Sequence, residues 1–296
     1  YKMTLNCLES ISKVRIKDFD LEVVVVDNGS TDGSVREIQN SKFKIQNDKF
    51  KFKIIENKEN LGFVGGNNVG IEYALKNGAD YVCLLNNDTR ADPDFLIQLF
   101  KVAEEDPQNG VVGGKIYFEK GYEFHKDRYD KKDLGKVIWY AGGVVDWQNV
   151  YGSHRGVDEV DQGQFDSLCE TGFVTGCLMF IRNEVFEKIG LIDERYYLYN
   201  EDNDFSQKAK KAGFKLMYSP KAIIWHINAG SSSSGSNLQE YFMTRNRLLF
   251  GFLWAPMRSK IALFRESFKL LLFGRPWQKI GVRDFYLGKL GKGSWK

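Results

Sequence analysis

The sequence predicts an α/β fold: a mostly parallel sheet flanked by helices, with amphipathic helices towards the C-terminal end. The run LEVVVVD stops at Asp27, and continuous β-branched runs are typical of strands that are covered on both faces. Strand-like and helix-like segments alternate three times over the first third of the chain, which indicates an open α/β sheet. A hydrophobic content of 43% in 296 residues is ordinary for a globular protein.

The alternating segments can be placed in order. The helix SVREIQNSK follows the first strand, and Ile54–Ile55 mark a second strand. Leu61 to Asn67 predict a glycine-rich loop, and Asn68 to Lys76 predict a helix. A third strand, DYVCLLNNDT, precedes the helix DPDFLIQLFKVAEED, which has a proline near its first turn. Ligands of such sheets bind at the carboxyl ends of the strands, where Asp27 and Asp88 both lie.

The remainder of the chain is less regular. Gly110 to Phe165 mix short strand-like pieces with a charged loop, and FVTGCLMFIRNEVFEKIG predicts a strand, a turn and a helix. The segment NEDNDFSQKAKKAG predicts a helix with Asn200 as its N-cap, acids in its first turn and lysines in its last. A predicted strand pair, KLMYSPKAIIWHI, ends at His226. Two amphipathic helices rich in Arg and Lys follow a serine-rich segment.

Charge and cysteine usage narrow the classes of function. The net charge of +3 is too small to indicate nucleic-acid binding, and we expect no nucleic-acid partner. Residues 256–296 nevertheless carry ten Lys or Arg against two acids, a local charge of +8. Four cysteines without a CxxC pair indicate a reduced, cytoplasmic compartment. No apolar stretch reaches the roughly 18–20 residues that span a bilayer.

Polar residues follow several of the predicted strands and begin one predicted helix. A GxGxxG fingerprint and a Walker A lysine loop are absent from the sequence, and three histidines give no Ser-His-Asp pattern. The candidate groups are therefore the ends of these elements: Asp27 with Asn28, Ser30 and Asp32, the Gly62–Asn68 loop, Asp88, the pair Glu201–Asp202, and His226.

Five motifs together resemble a known family. VVVDNGSTDGS, ENLGFVGGNNVGI, LLNNDT, the segment TGCLMFIRNEVFEKIGLIDERYYLYNEDNDFSQKAKKAG and WHINAGSSS occur in the order that is typical of family 2 glycosyltransferases, and most resemble the rhamnosyltransferase-like branch. The resemblance runs from about Leu5 to about Leu249. It implies a GT-A catalytic domain over residues 1–228, with a nucleotide-binding half (1–110) and an acceptor half (111–228), and a helical extension over residues 229–296.

The resemblance also implies a site. The family's DxD metal motif aligns with Asn86-Asn87-Asp88, so one carboxylate remains, and His226 matches a metal-ligating histidine of related enzymes. Mg²⁺ or Mn²⁺ would be held by Asp88, His226 and diphosphate oxygens. Asp202 would be the general base and Glu201 would orient it or the acceptor. The nucleotide-sugar would be bound by Asp27, Asn28, Ser30, Gly65, Gly66, Asn67, Asn68, Asn86, Asn87 and Arg245.

Each of these roles has a structural alternative. Asp27 and the LLNNDT residues can form strand-ending turns, and the asparagines after the glycines can cap a helix. First-turn acids such as Asp202 can satisfy the helix dipole, and Arg245 can be a solvated helix charge. A lone histidine at a strand end, such as His226, is more often structural than a ligand.

The function that the resemblance implies is inverting transfer of a sugar, rhamnose among the candidates, from a dTDP- or UDP-sugar to a cell-surface glycan or a lipid-linked acceptor. The basic C-terminal residues suggest peripheral contact with the inner face of the cell membrane. A sugar-1-phosphate nucleotidyltransferase and a catalytically silent glycan-binding protein are the alternatives.

One departure concerns the N-terminal end. The family begins with a strand at the centre of its sheet, whereas YKMTLNCLES already matches the first helix. We expect an upstream strand and turn of on the order of ten residues.

Overall fold

The structure, a computed structural model, describes residues 1–41, 50–227 and 236–295. Within these ranges the helices are α1 (Lys2–Ser12), α2 (Ser34–Gln39), α3 (Gly62–Lys76), α4 (Phe95–Glu105), α5 (Asn183–Ile189), α6 (Glu201–Lys211), α7 (Asn237–Trp254), α8 (Met257–Phe273) and α9 (Pro276–Tyr286). The strands are β1 (Glu22–Asp27), β2 (Lys51–Glu56), β3 (Tyr81–Leu85), β4 (Thr89–Ala91), β5 (Asn109–Phe118), β6 (Ile138–Tyr140), β7 (Gly143–Asp146), β8 (Tyr151–His154), β9 (Cys169–Glu170), β10 (Leu178–Arg182) and β11 (Lys215–His226).

A seven-stranded mixed sheet forms the centre of the molecule. Its strands run in the order β3-β10-β5-β11-β4, with β6 added to β5 and β9 added to β11. Among the described pairs only β1–β2 and β5–β11 are parallel, and β10 is antiparallel to both of its neighbours. The α/β class is confirmed, but the expectation of a mostly parallel sheet is wrong. An apolar run identifies a buried strand without giving its direction, which depends on how the chain returns to the sheet.

The strand β5 lies at the centre of this sheet, and its sequence NGVVGGKIYF is buried at nine of its ten residues. Its glycines allow neighbouring elements to approach. A Cβ at Gly114 would lie 2.3 Å from the carbonyl oxygen of Ala222 in β11, well inside van der Waals contact. Glycine is therefore required at this position because any side chain would separate the two strands.

The glycine-rich stretch after β2 is helical rather than a loop, so the prediction of a loop over Leu61 to Asn67 is wrong. Helix α3 begins at Gly62. Two of its glycines face β1 and the residue after it: a Cβ at Gly66 would lie 3.2 Å from the Asn28 side chain, and one at Gly70 would lie 3.2 Å from Val26. The spacing of four residues places both glycines on one face of the helix. Small residues there permit close helix-to-strand packing, which outweighs their low helix propensity.

The strand β1 pairs with β2 in a separate two-stranded sheet. Its side chains from Glu22 to Val26 are half-buried, so the expected cover on both faces is not found within the described residues. Helix α3 contacts both β1 and β3 and so connects the two sheets.

The predicted halves of the catalytic domain share one sheet. Strands β3 and β4 come from residues 1–110, and they pair with β10 and β11 from the second half. The predicted strand pair KLMYSPKAIIWHI is one strand, β11, with a register shift between Ser219 and Ile223, where Pro220 interrupts the pairing. The predicted boundary at 228/229 lies outside the described residues. Among the described helices none is long and apolar enough to cross a membrane.

Candidate active site

The LLNNDT segment forms a tight turn at the edge of the central sheet. Strand β3 ends at Leu85, and β4 begins at Thr89. The Asn86 N–H donates to the carbonyl of Cys177 at 3.0 Å, and the Thr89 hydroxyl donates back to the Asn86 carbonyl at 2.6 Å. The Asn87 amide donates to the Thr4 hydroxyl at 3.0 Å. This turn therefore fixes the direction of Asp88.

Strand pairing brings His226 to Asp88. The last residue of β11, His226, lies opposite Thr89 of β4, and the Ile227 N–H donates to the Asp88 carbonyl at 2.8 Å. The His226 Nε2 lies 3.2 Å from Asp88 Oδ1 but is not aligned as a hydrogen bond, so this buried carboxylate oxygen has no hydrogen-bond donor. The Nδ1 of His226 is also buried without a partner.

These two side chains suit a divalent cation that is shared with a ligand. A buried carboxylate oxygen without a donor carries an uncompensated desolvation penalty, which a cation would remove. Within residues 1–41, 50–227 and 236–295, no group of three or more His, Cys, Asp or Glu side chains converges on one point. The protein therefore offers at most part of an octahedral ligand set, and ligand oxygens and waters would have to supply the rest.

The second part of the site is the first turn of α6. The Asp202 carboxylate accepts three hydrogen bonds: from the Gly176 N–H at 3.2 Å, and from the Asn203 N–H and side-chain amide at 2.8 and 3.0 Å. Neighbouring Glu201 is 6% exposed, and its Oε2 is buried without a hydrogen-bond partner. Asn200 occupies the N-cap position as predicted, but its side chain makes no capping bond.

The two carboxyl groups differ in which protonation state their surroundings stabilise. Burial raises the pKa of both, and repulsion from Asp202 raises the pKa of Glu201 further. Hydrogen bonds from three N–H groups favour the ionised form of Asp202, whereas Glu201 has no such donors to its buried oxygen. The pair therefore holds its negative charge on Asp202 and its proton on Glu201 near neutral pH.

Two consecutive residues join these parts of the site. The N–H of Gly176 binds the Asp202 carboxylate, and the carbonyl of Cys177 binds the N–H of Asn86. The Asp88–His226 edge and the Asp202 carboxylate consequently meet across the segment that leads into β10. A Cβ at Gly176 would lie 3.2 Å from the Phe63 ring, a tight contact that a larger residue could make only if the ring moved slightly.

Two of the predicted nucleotide-binding residues form a turn. The Asp27 Oδ2 accepts a hydrogen bond from the Ser30 N–H at 2.9 Å, three residues further along, which closes a turn at the end of β1. Strand pairing does not join Asp27 to Asp88, because β1 and β3 belong to different sheets.

Other predicted ligand residues are engaged within the protein. The Asn28 side chain bonds four groups of the loop before α3, at Asn57, Asn60, Leu61 and Gly62. Gly65 and Gly66 lie inside the first turns of α3 and are buried. Their expected approach to a nucleotide therefore does not fit the structure, which gives them packing roles. The reason is that each glycine faces protein atoms. A Cβ at Gly65 would lie 2.7 Å from the Leu61 side chain, and one at Gly66 would lie 3.2 Å from the Asn28 side chain.

The asparagines of the same helix differ from each other. The Asn68 side chain, 4% exposed, donates to the Ile192 carbonyl at 2.9 Å and accepts from the Ile192 N–H at 3.1 Å. The Asn67 amide donates to the Phe63 carbonyl at 2.7 Å within its own helix. Asn68 therefore binds α3 to the segment before α6, which is a structural role and not the nucleotide contact that we expected.

The structure buries Arg245 where a ligand in solution could not reach its side chain. Its side chain is fully buried, and its guanidinium donates to Asn246 Oδ1, to the Tyr241 hydroxyl and to the carbonyls of Arg195 and Tyr196. All three guanidinium nitrogens thus contact protein groups. The expected diphosphate contact, and the alternative of a solvated helix charge, both disagree with this burial.

Sequence reasoning missed several residues beside the site. The Trp139 ring lies between two histidines, with centroid distances of 4.7 Å to His226 and 4.3 Å to His154. Burial lowers the pKa of His154 to about 4, so this ring is neutral, with Nδ1 at 3.0 Å from the Trp139 carbonyl. Trp139 and His154 lie in the irregular region, where no pattern pointed to them. Gly176 acts through its N–H, which sequence cannot identify.

The structure thus brings Asp88, His226 and Asp202 together around the Gly176–Cys177 segment. The family model for "Glycosyl transferase family 2" matches residues 1–190. The chain therefore belongs to glycosyl transferase family 2, as its motifs predicted, and the class of reaction is transfer of a sugar. The nucleotidyltransferase and silent-binding alternatives are not favoured. Glu201, Asp202 and His226 lie beyond the matched residues.

Curated relatives have low sequence identity to this chain, but the matches cover most of its length. The chain is 25% identical over 224 residues to N-acetylglucosaminyl-diphospho-decaprenol L-rhamnosyltransferase of Mycobacterium tuberculosis, which covers 72% of this chain and 68% of the relative. It is 23% identical over 230 residues to a low-salt glycan biosynthesis hexosyltransferase of Haloferax volcanii, which covers 77% of this chain and 66% of that protein.

Solved structures confirm the fold. A Pyrobaculum calidifontis mannosyltransferase, solved in complex with GDP-Man and Mn²⁺, matches with a TM-score of 0.56 and 16% identity over 97% of this chain and 71% of its own. GalNAc-T7, with UDP, GalNAc and Mn²⁺, matches with a TM-score of 0.64 and 17% identity over 94% of this chain and 51% of its own. The GT-A type of α/β fold is therefore confirmed.

The structural role of Asn68 can be tested against its neighbour. We expect Asn68→Ala to lower the free energy of unfolding by about 1–3 kcal/mol, since it leaves the backbone groups of Ile192 unpaired. Asn67→Ala, which removes a bond within one helix, should change it by about 0.5 kcal/mol or less. Urea unfolding of both variants measures the difference. Equal stability of Asn68→Ala and the parent protein, with weakened nucleotide binding, would return Asn68 to the ligand site.

Proposed function

We propose that this protein transfers a sugar from a nucleotide-diphospho-sugar to an acceptor hydroxyl with inversion of configuration. The observation that carries this proposal is the Gly176–Cys177 segment, which binds Asp202 on one side and the LLNNDT turn on the other. If Asp202 is the base and the LLNNDT turn holds the leaving diphosphate, a short span of backbone would separate the two. Inverting transfer requires this opposition, because the acceptor approaches the face opposite the leaving group.

Asp88 and His226 would hold a divalent cation, Mg²⁺ or Mn²⁺, between them. The buried Asp88 Oδ1 without a donor, next to a histidine nitrogen, fits such an ion. When bound, the ion would neutralise the charge that develops on the nucleotide diphosphate as it leaves. Asn86 and Asn87 precede Asp88 and carry neutral amides, so this turn contributes a single negative charge.

Asp202 would take the proton from the acceptor hydroxyl. Its carboxylate is held ionised by three N–H donors, and burial raises its pKa and so its basicity. Glu201, protonated beside it, would keep a second negative charge away from the base and orient the acceptor through its buried hydroxyl. The two carboxyl groups thus have separate roles that their surroundings define.

The donor and the acceptor are inferred from relatives. The Mycobacterium tuberculosis relative is named for rhamnose transfer to a decaprenol-linked glycan, which favours dTDP-rhamnose or a UDP-sugar as donor. A glycan on a lipid carrier, or a growing cell-surface polysaccharide, is the acceptor that we propose. Asp27, at the carboxyl end of β1, would contact the base or ribose through its carboxylate, with Ser30 beside it.

Contact with the inner face of the cell membrane would place the enzyme near a lipid-linked acceptor. Helix α8 carries a stripe of exposed apolar side chains at helical spacing: Met257, Ile261, Phe264, Phe268 and Leu272. The exposed basic residues Arg258, Arg265 and Lys269 each follow a stripe residue directly and therefore line one edge of it. An apolar stripe with a basic border matches the surface of an anionic bilayer.

Nucleotide and metal binding test the Asp88–His226 edge. We expect dTDP, UDP or GDP to raise the melting temperature when Mn²⁺ is present, because a ligand that binds only the folded state stabilises it by about 2.7 kcal/mol at a hundredfold excess over Kd. Asp88→Ala should lose this shift, and the exposed control Glu72→Ala should retain it. A shift that is independent of metal and unaffected in Asp88→Ala would contradict the proposed site.

The base is tested by an isosteric change. Asp202→Asn keeps the side-chain volume but removes the proton acceptor, so we expect kcat to fall roughly 10²–10⁴-fold while nucleotide affinity stays the same. Because burial raises the pKa of Asp202, the acidic limb of the kcat profile should lie above the usual range of an aspartate. Release of the nucleotide diphosphate measures turnover. Full activity in Asp202→Asn would exclude Asp202 as the base.

Membrane contact is tested with vesicles. The protein should sediment with vesicles that contain phosphatidylglycerol and stay free of pure phosphatidylcholine vesicles. Phe264→Ser/Phe268→Ser and Arg265→Glu/Lys269→Glu should each reduce binding at least tenfold, whereas the charge-matched Lys131→Glu/Lys132→Glu on an exposed loop should not. The membrane proposal would be refuted if the protein sedimented with neither vesicle type and light scattering showed a dimer that the α8 substitutions abolish.

A further inference from the structure

The segment that precedes α6 has an unfavourable backbone. Tyr197, Tyr199 and Asn200 have φ angles of 65°, 69° and 67°, in the left-handed region. Non-glycine residues are uncommon in that region and persist there only where their surroundings hold them. Tyr197 is bulky, and its ring packs against Gly62. A Cβ at Gly62 would lie only 2.5 Å from the nearest carbon of that ring. Packing and hydrogen bonds from other elements must therefore maintain this conformation.

Two adjacent side chains of α7 supply those hydrogen bonds. Arg245 Nη2 donates to the carbonyls of Arg195 and Tyr196 at 3.3 and 3.0 Å. The Asn246 amide donates to the carbonyls of Tyr196, Leu198 and Tyr199 at 2.9, 2.7 and 2.9 Å. Both side chains are fully buried. We call this pair of residues, Arg245 and Asn246, the α7 clamp.

The α7 clamp is itself fixed by its neighbours. Arg245 Nε donates to Asn246 Oδ1 at 2.9 Å, which orients the amide so that its NH₂ group points at the carbonyls. Arg245 Nη1 contacts the Tyr241 hydroxyl at 3.3 Å, and that hydroxyl donates to Asp284 of α9 at 2.7 Å. The Phe242 ring stacks on Tyr197 with centroids 5.2 Å apart. The clamp thus connects the C-terminal helices to the segment before α6.

We propose that Arg245 and Asn246 are positioning residues which set the place of Asp202 through the 195–200 segment, an inference that rests on the proposed function. Asn200 makes no side-chain capping bond, so the helix start is fixed by the backbone that leads into it. That backbone has its carbonyls bound by the clamp up to Tyr199, three residues before Asp202. Neither clamp residue touches a reacting atom.

Asn246→Asp tests this inference with almost no change of shape. The substitution replaces the NH₂ group by an oxygen, so the carbonyls of the segment face a carboxylate instead of a donor. We expect kcat to fall roughly 10- to 100-fold at a temperature where the variant is folded, since a displacement of about 1 Å costs that much in a catalytic group. The affinity for nucleotide with Mn²⁺ should stay within twofold of the parent. Asn237→Asp, exposed at the start of the same helix, is the matched control.

A second measurement separates positioning from general stability. If the segment shifts, the Gly176 N–H no longer supports the Asp202 carboxylate, and the acidic limb of the kcat profile should move to higher pH. Arg245→Lys, which keeps the charge but not the planar fork, should move it in the same direction. Hydrogen exchange should quicken at residues 196–204 in both variants.

The outcomes distinguish the clamp from the function on which it rests. Suppose that folded Asn246→Asp releases nucleotide diphosphate at the parent rate and with the parent pH profile. That result would overturn the positioning role of the α7 clamp while leaving the proposed transferase function intact. A parent protein that turns over no nucleotide-sugar would overturn the proposed function. Loss of nucleotide affinity in step with kcat would show that the clamp acts on donor binding, which also contradicts the inference.

Discussion

The site depends on one backbone segment, Gly176–Cys177, which leads into the antiparallel strand β10. Its N–H binds the Asp202 carboxylate, and its next carbonyl binds the LLNNDT turn. Backbone groups hold distances more rigidly than long side chains do, because their positions are fixed by the pairing of β10 with β3 and β5. The reversed direction of β10 is thus a requirement of the site, since it places the start of that strand at the end of β3.

Burial of carboxyl groups constrains the second part of the site. Two adjacent acids at one helix start repel each other, and removing both from water costs several kcal/mol per charge unless one is neutral. Three N–H groups donate to Asp202 and none donates to the buried oxygen of Glu201, which favours the charge on Asp202. The same donors fix the direction of Asp202, so ionisation and orientation have a common cause.

Much of this architecture could be predicted from sequence, and the failures have physical reasons. LEVVVVD and DYVCLL were identified as strands because local apolar patterns report burial, and Asp88 was paired with His226 because family motifs record chemistry. The sequence did not reveal that Arg245 is buried. A charged residue on an amphipathic helix indicates a surface charge and a ligand contact equally well. The direction of β10 and the helical start at Gly62 depend on tertiary packing, against local propensity. Gly176 was missed because its contribution is a backbone N–H.

The neutral amides at Asn86 and Asn87 change how a cation would be held. With one carboxylate and one histidine, the protein supplies a single negative charge, whereas a nucleotide diphosphate supplies more charge and two or more oxygens. Under the proposed function, most of the attraction for Mg²⁺ or Mn²⁺ therefore comes from the nucleotide, and metal and donor bind as one unit. Fewer acids at this edge also leave Asp202 as the principal negative charge near the acceptor. The loss of the first acid of the metal motif is thus compatible with catalysis, because it transfers metal affinity from the protein to the substrate.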